Sequence, residues 1–194
     1  MSDQKKLIDL HMDTLAVRAG TMRTEFNEHS EAMFLTSSFV YENSEIAAER
    51  FANAQNGYIY SRFTNPSVTM FQNRLAALEG APACIATASG MAAIFALSMT
   101  VLKAGDHIIC SRSVFGSTIQ MFSNILSKFD ISTTYVDLSN VQEFQSAMLP
   151  NTKMVYIESP SNPLTEIADI QAISRVCKTS GALLVVDNCF CTPV

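Results

Sequence analysis

Apolar residues follow two different rhythms along this chain. Up to residue 64 they are scattered among polar ones, and only short elements are predicted. Residues 12–19 read as a short helix with Asp13 near its start. Residues 20–42 are polar and irregular, with an extended stretch at 34–41, and residues 44–54 read as a helix capped by Ser44. Residues 57–65 form an aromatic-rich, exposed loop. Such a segment buries little by itself and reads as an arm that lies on something else. From Asn65 onward the rhythm is regular. Asn65 is a good N-cap and Pro66 a good first helical residue, opening a helix to Glu79 that stops at Gly80. Apolar strands are predicted at 83–87, 107–111, 132–137, 153–158 and 183–187. Helices are predicted between them at 89–102, 116–128, 140–148 and 169–179, the third opened by a capping-box-like Asn140 and Glu143. Strands this apolar belong to a mostly parallel sheet with helices on both faces, an α/β fold preceded by an arm. The domains expected are 1–64 for the arm and 65–194 for the sheet.

Composition narrows the function. The chain has 194 residues, is 48% hydrophobic and only 16% charged, and carries a formal net charge of -5. That balance fits a well-buried core and argues against disorder and against nucleic acid as a partner. Its most apolar windows, such as 91–102 and 182–186, are far shorter than a membrane span. Residues 1–9 mix Lys5 and Lys6 with Asp3 and Asp9, without the apolar run of a secretory signal. Cysteines stand at 84, 110, 177, 189 and 191, an odd count without zinc-ligand spacing, which fits reduced thiols and a cytoplasmic location. The Cys189/Cys191 pair lacks a second ligand pair, and His11, His29 and His107 are far apart, so no metal is expected.

Ligands of open α/β sheets collect at the carboxyl ends of the strands. After the first predicted strand, Ser89, Gly90 and Met91 form a small-residue turn into a helix. Unsatisfied N–H groups and the helix dipole there suit a phosphate, although such turns also occur for packing alone. After the second, Phe115 could stack on a flat ligand or be an ordinary core phenylalanine. After the fourth, Asn162 lies between two prolines, where its amide could bond a ligand oxygen or close an Asx turn. At the end of the fifth, Asp187 needs a partner, either a protonated ring nitrogen or a neighbouring loop. In this order the four suit one flat, phosphorylated, pyridine-type cofactor. Neither glycine fingerprint of nucleotide-binding folds is present.

The chain resembles the Cys/Met-metabolism group of fold-type I pyridoxal-phosphate enzymes, which act in transsulfuration. The resemblance runs from Asp13-Thr14-Leu15 to Thr192-Pro193. It is carried by Tyr60-Ser61-Arg62-Phe63-Thr64-Asn65-Pro66, Ala88-Ser89-Gly90-Met91-Ala92 and Glu158-Ser159-Pro160-Ser161-Asn162-Pro163. Arg112-Ser113-Val114-Phe115-Gly116-Ser117-Thr118 and Asn188-Cys189-Phe190-Cys191 look most like the sulfhydrylase branch. The resemblance implies pyridoxal 5'-phosphate as cofactor, with Ser89, Gly90 and Met91 at its phosphate. Tyr60 and Arg62 would reach that phosphate from a neighbouring subunit. Phe115 would stack on the ring, where most of the wider family has tyrosine, and Asn162 would lie near the ring hydroxyl. Asp187 would pair with the ring nitrogen. It further implies a homotetramer of dimers that share active sites. The implied reaction is γ-replacement on O-succinylhomoserine with sulfide, giving homocysteine and succinate. A cystathionine γ-synthase or γ-lyase reaction is the alternative, as is a catalytically inactive fragment. The family's Schiff-base lysine is expected beyond Val194, since Lys5, Lys6, Lys103, Lys128, Lys153 and Lys178 match no such motif.

Overall fold

The computed structural model describes residues 10–52 and 57–193, which fall into two compact units, one up to Ala86 and one from Thr87 to Thr192. Residues 1–9, read above for a signal, and residues 53 and 54 of the second expected helix lie outside the described residues.

Among its described residues the first unit holds three helices, α1 (Met12–Arg18), α2 (Ser44–Ala52) and α3 (Pro66–Leu78). Helix α2 is capped one residue earlier than expected. Asn43 Oδ1, not Ser44, accepts the Ile46 N–H at 2.9 Å. Helix α3 begins as its sequence demands, with Asn65 in extended backbone and its side chain on the Ser67 N–H. Gly20 allows the chain after α1 to press on α3. Its φ is +73°, and a Cβ there would stand 2.5 Å from the Met70 carbonyl oxygen. Arg74 then ties that turn down, donating to the Ala19 carbonyl at 2.8 Å and pairing with Glu31. The stretch 34–41 makes only one bridge, Ser38 with Tyr60, and is otherwise irregular.

The second unit contains helix α4 (Gly90–Val101) and strand β1 (His107–Ser111), then a short helix α5 (Gly116–Gln120). Strand β2 (Ser132–Val136), helix α6 (Val141–Ser146), strand β3 (Thr152–Glu158), helix α7 (Ile170–Ser180) and strand β4 (Leu183–Asp187) follow. The sheet is wholly parallel, in the order β2-β1-β3-β4. Two expectations fail here. Residues 83–87 form no strand: no neighbouring strand pairs with them among the described residues, and Ile85 is 84% exposed. The segment 116–128 is not one helix. After Gln120 it widens into a π-helical turn, Met121–Ile125, and then tightens to a 3-10 turn, Leu126–Phe129. Helix α6 also lacks the full capping box. Asn140 caps Gln142, while Glu143 turns to the Asp137 N–H and to Arg112.

Alternation along the strands divides the core into two layers. Ile108, Cys110, Met154 and Tyr156 face one way, packing with Phe122, Leu126 and Met121. Ile109, Val155 and Ile157 face the other, packing with Phe144, Ile173 and Cys177. Each such large side chain removed from water contributes roughly 1.5–3 kcal/mol. The central strands β1 and β3 are nearly all buried, whereas β2 and β4 are partly exposed, less covered than their apolar sequences predict.

Candidate active site

Chain order reverses between β1 and β3. From β1 the chain steps outward to β2, then crosses back to place β3 on the other side of β1. Such a reversal opens a crevice at the carboxyl ends of the two strands. Phe115 follows β1 and Glu158 ends β3, and the two meet there. The Phe115 backbone N–H donates to Glu158 Oε2 at 2.6 Å. Phe115 itself is 47% exposed, which rules out the core-phenylalanine alternative and leaves its ring open to the crevice.

Glu158 was singled out only as part of a motif, yet its environment is the most unusual in the unit. It is 1% exposed, and its Oε1 has no partner within hydrogen-bond distance among the described residues. Its register neighbour on β4 is Asp187. Burial is the main force raising the Glu158 pKa, and the Asp187 charge adds to it. The Phe115 N–H, and less so the backbone of Asn162, pull the other way. Burial and the nearby Glu158 charge also push the Cys110 thiol far above its usual range, so that cysteine is an inert wall.

Asp187 stands half-buried at the end of β4 and is held from two sides. Tyr156 Oη donates to Asp187 Oδ2 at 2.8 Å, and the Cys189 N–H meets Oδ1 at 3.2 Å. The loop-capping alternative for Asp187 is thus partly realised, while a carboxylate with about four acceptor positions keeps two for a ligand. Tyr156 is 1% exposed and packs edge-on against Phe122 at 5.3 Å between ring centroids. Burial raises its pKa, with the Asp187 charge and hydrogen bond adding to that. Sequence reasoning missed Tyr156 because an aromatic residue inside an apolar strand reads as core. The usable signal was its position two residues before Glu158, which puts both side chains on one face.

The turn before α4 has the shape expected of an anion cradle. Ser89 Oγ accepts the Ala92 N–H at 3.1 Å, and the Thr87 hydroxyl donates to the Ser89 carbonyl. The N–H groups of Gly90 and Met91 lie in the first turn, where helices offer them no internal acceptor. Nothing stands within 4 Å of a Cβ built on Gly90, so the approach to them is open. Helix α4 packs against α5, the helix that Phe115 begins. Asn162, half-buried in the loop after β3, has no side-chain hydrogen bond among the described residues, so an Asx turn is not what holds it. One compact unit therefore provides free amides for an anion, an open aromatic face and a fixed carboxylate. These residues fit a phosphorylated pyridine.

Tyr60 and Arg62 belong to the first unit. The Arg62 guanidinium sits 5.4 Å from the Tyr60 ring centroid and 5.1 Å from that of Phe63. Both residues line an open cavity of about 360 Å³ with Phe39, Tyr41 and Phe51. Phe51, Phe63 and Leu35 are well exposed. Among the described residues, no group of histidine, cysteine or carboxylate side chains could hold a metal, and no helix is long and apolar enough to cross a membrane.

Comparison with known proteins agrees with this geometry. The family described as Cys/Met metabolism PLP-dependent enzyme matches residues 13–194. O-succinylhomoserine sulfhydrylase of Pseudomonas aeruginosa is 54% identical over 181 residues, 93% of this chain and 45% of that protein. L-methionine gamma-lyase of Fusobacterium nucleatum subsp. polymorphum is 40% identical over 183 residues, 94% of this chain and 46% of that protein. Among solved structures, a putative O-acetylhomoserine (thiol)-lyase from Campylobacter jejuni carries N'-pyridoxyl-lysine-5'-monophosphate. It superposes with a TM-score of 0.87 at 31% identity, covering 93% of this chain and 44% of that one. The chain spans about half the length of the relatives it matches.

Proposed function

Given that this chain belongs to the Cys/Met metabolism family of PLP-dependent enzymes, we propose that it is the cofactor-binding part of an O-succinylhomoserine sulfhydrylase. The reaction is γ-replacement: sulfide takes the place of succinate and homocysteine results. The 54% identity to a sulfhydrylase carries that choice over other reactions of the family.

In this reading the N–H groups of Gly90 and Met91, steadied by the Ser89 cap, hold the phosphate, with the α4 dipole adding positive potential. Phe115 covers one face of the ring, Asn162 donates to the ring hydroxyl, and Asp187 holds the proton on the ring nitrogen. Bound pyridoxal phosphate supplies an electron sink for loss of protons from the substrate's α- and then β-carbon. A phenylalanine at 115 contributes packing alone, so protons are carried by other groups. Residues 1–64 act as an arm that brings Tyr60 and Arg62 to the phosphate of a neighbouring subunit, and 65–194 form the cofactor domain. The exposed aromatic surface of the arm supports this arrangement, with a homotetramer of site-sharing dimers in the cytoplasm as the assembly. The lysine that carries the cofactor lies outside this chain's span. Lys103 and Lys128 precede β1 and β2, Lys153 is the second residue of β3 and Lys178 lies near the end of α7, before β4. All four stand toward the amino ends of the strands, away from the crevice, which supports that assignment.

The test is product analysis with the full-length protein and O-succinylhomoserine. Homocysteine formed with sulfide, well above cystathionine formed with cysteine, is the expected result. The gamma-lyase relative gives the second reading a footing. Release of a 2-oxo acid as the main product even with sulfide present would favour it and overturn the first.

A further inference from the structure

Tyr156 contributes a hydroxyl to a carboxylate that the proposed reading places against the cofactor. The hydroxyl is buried on β3, and its acceptor within hydrogen-bond distance is Asp187 Oδ2 at 2.8 Å. The ring beneath it is fixed by its edge-on contact with Phe122, so the hydroxyl has little freedom to turn elsewhere. Asp187 has the opposite problem. It ends β4, a partly exposed strand, where a short side chain can swing about χ1. Its other ties come from Cys189, through its N–H at 3.2 Å and its thiol, in a turn whose residues 189 and 190 are exposed. The Tyr156 bond is therefore the contact that sets the plane of this carboxylate from the rigid interior. Glu158, the register neighbour of Asp187, cannot do so. Its Oε2 is turned to Phe115, and its Oε1 meets no hydrogen-bond partner among the described residues.

We propose that Tyr156 is a positioning residue: its hydroxyl holds Asp187 in the orientation that presents a free lone pair to the ring nitrogen of pyridoxal phosphate. This rests on the assignment of Asp187 to that nitrogen. A charged hydrogen bond loses much of its strength when its partner turns by a few tens of degrees, so the support for the carboxylate matters as much as its charge. Tyr156 acts through Asp187 and does not touch the cofactor.

The test is a double-mutant cycle in the full-length holoenzyme with Tyr156→Phe, Asp187→Asn and both together. The readouts are the dissociation constant of pyridoxal 5'-phosphate and the 15N chemical shift of the ring nitrogen in labelled cofactor. Tyr156→Phe keeps the ring and its packing on Phe122, so the fold is retained, and urea midpoints of the apoproteins check this. Tyr156→Phe is expected to weaken cofactor binding roughly tenfold, the scale of a lost hydrogen bond to a charged group, and to move the 15N signal toward the unprotonated value. In the Asp187→Asn background the same change is expected to do almost nothing. An equal, additive loss in both backgrounds, or an unchanged 15N signal in Tyr156→Phe, overturns the positioning role while leaving Asp187 in place. If Asp187→Asn alters neither readout, the assignment of Asp187 fails, and the role of Tyr156 fails with it.

Discussion

Replacing Asn65 with alanine removes three hydrogen bonds from the start of helix α3. Asn65 Oδ1 accepts the Ser67 N–H at 2.8 Å. Its amide nitrogen donates to the Phe34 carbonyl and to Ser61 Oγ, each at 3.0 Å. The residue is 6% exposed, so water cannot readily replace these partners. Loss of an N-cap costs about 1 kcal/mol, and each donated bond about 1 kcal/mol more. Asn65→Ala should therefore destabilise this region by about 3 kcal/mol, raising its opening constant roughly 150-fold. Asn65→Ser separates the parts. Serine keeps the cap but cannot reach both Phe34 and Ser61, so about 2 kcal/mol should be lost. The assay is native-state hydrogen exchange of the Ser67 amide, with urea unfolding as the global control. Protection of Ser67 should collapse in Asn65→Ala and survive far better in Asn65→Ser. A less than threefold change in Asn65→Ala would refute the claim that Asn65 is what ties residues 34 and 61 to the start of α3. Because Ser61 lies between Tyr60 and Arg62, both variants should also weaken binding of pyridoxal phosphate in the assembled protein.

Two further outcomes follow from local geometry. Gly20→Ala places a Cβ 2.5 Å from a carbonyl oxygen at φ +73°, so it should cost roughly 2–4 kcal/mol. Gly105→Ala, at φ +86° with nothing within 4 Å, should cost only about 1 kcal/mol in urea unfolding; equal costs would contradict the close approach. His107 is 1% exposed and bonds the hydroxyls of Thr152 at 2.8 Å and Thr134 at 2.9 Å. Thr152 Oγ1 also accepts the Leu149 N–H at 2.9 Å, which fixes that hydroxyl beside the ring. Burial lowers the His107 pKa, so the unfolded chain binds the proton more readily than the folded one. Its contribution is complete above the unfolded pKa, about 6.5, and is lost as pH falls from there toward the lower folded value. Unfolding free energies at pH 8 and pH 5.5 should show an acid loss that shrinks in His107→Gln, and an unshrunk loss would assign it to other groups.

The legible parts of the molecule were those in which one residue suffices to make the signal. Asn65 with Pro66, Gly80 at φ +61° after α3, and Asp187 at the end of an apolar strand each announce themselves locally. What depends on a neighbour was not legible. Residues 83–87 have the composition of a strand, but a strand exists only beside another, and none lies beside them among the described residues. The periodicity of 116–128 is helical throughout, yet it does not distinguish i→i+4 from i→i+5 bonding, so the π turn was invisible. Within the site, Glu158 and Tyr156 were hidden in an apolar run. Their significance comes from Phe115 and Asp187, which lie 43 and 31 residues away in the chain.

The central claim is that this unit receives pyridoxal phosphate at the carboxyl ends of its strands. The most direct measurement is intact mass and peptide mapping of the full-length protein after incubation with pyridoxal phosphate and borohydride reduction. The account predicts one pyridoxyl group per chain, on a lysine outside this span, and a marked loss of that adduct at limiting cofactor in Asp187→Asn. An adduct on Lys103, Lys128, Lys153 or Lys178, or no stoichiometric adduct at all, would contradict it.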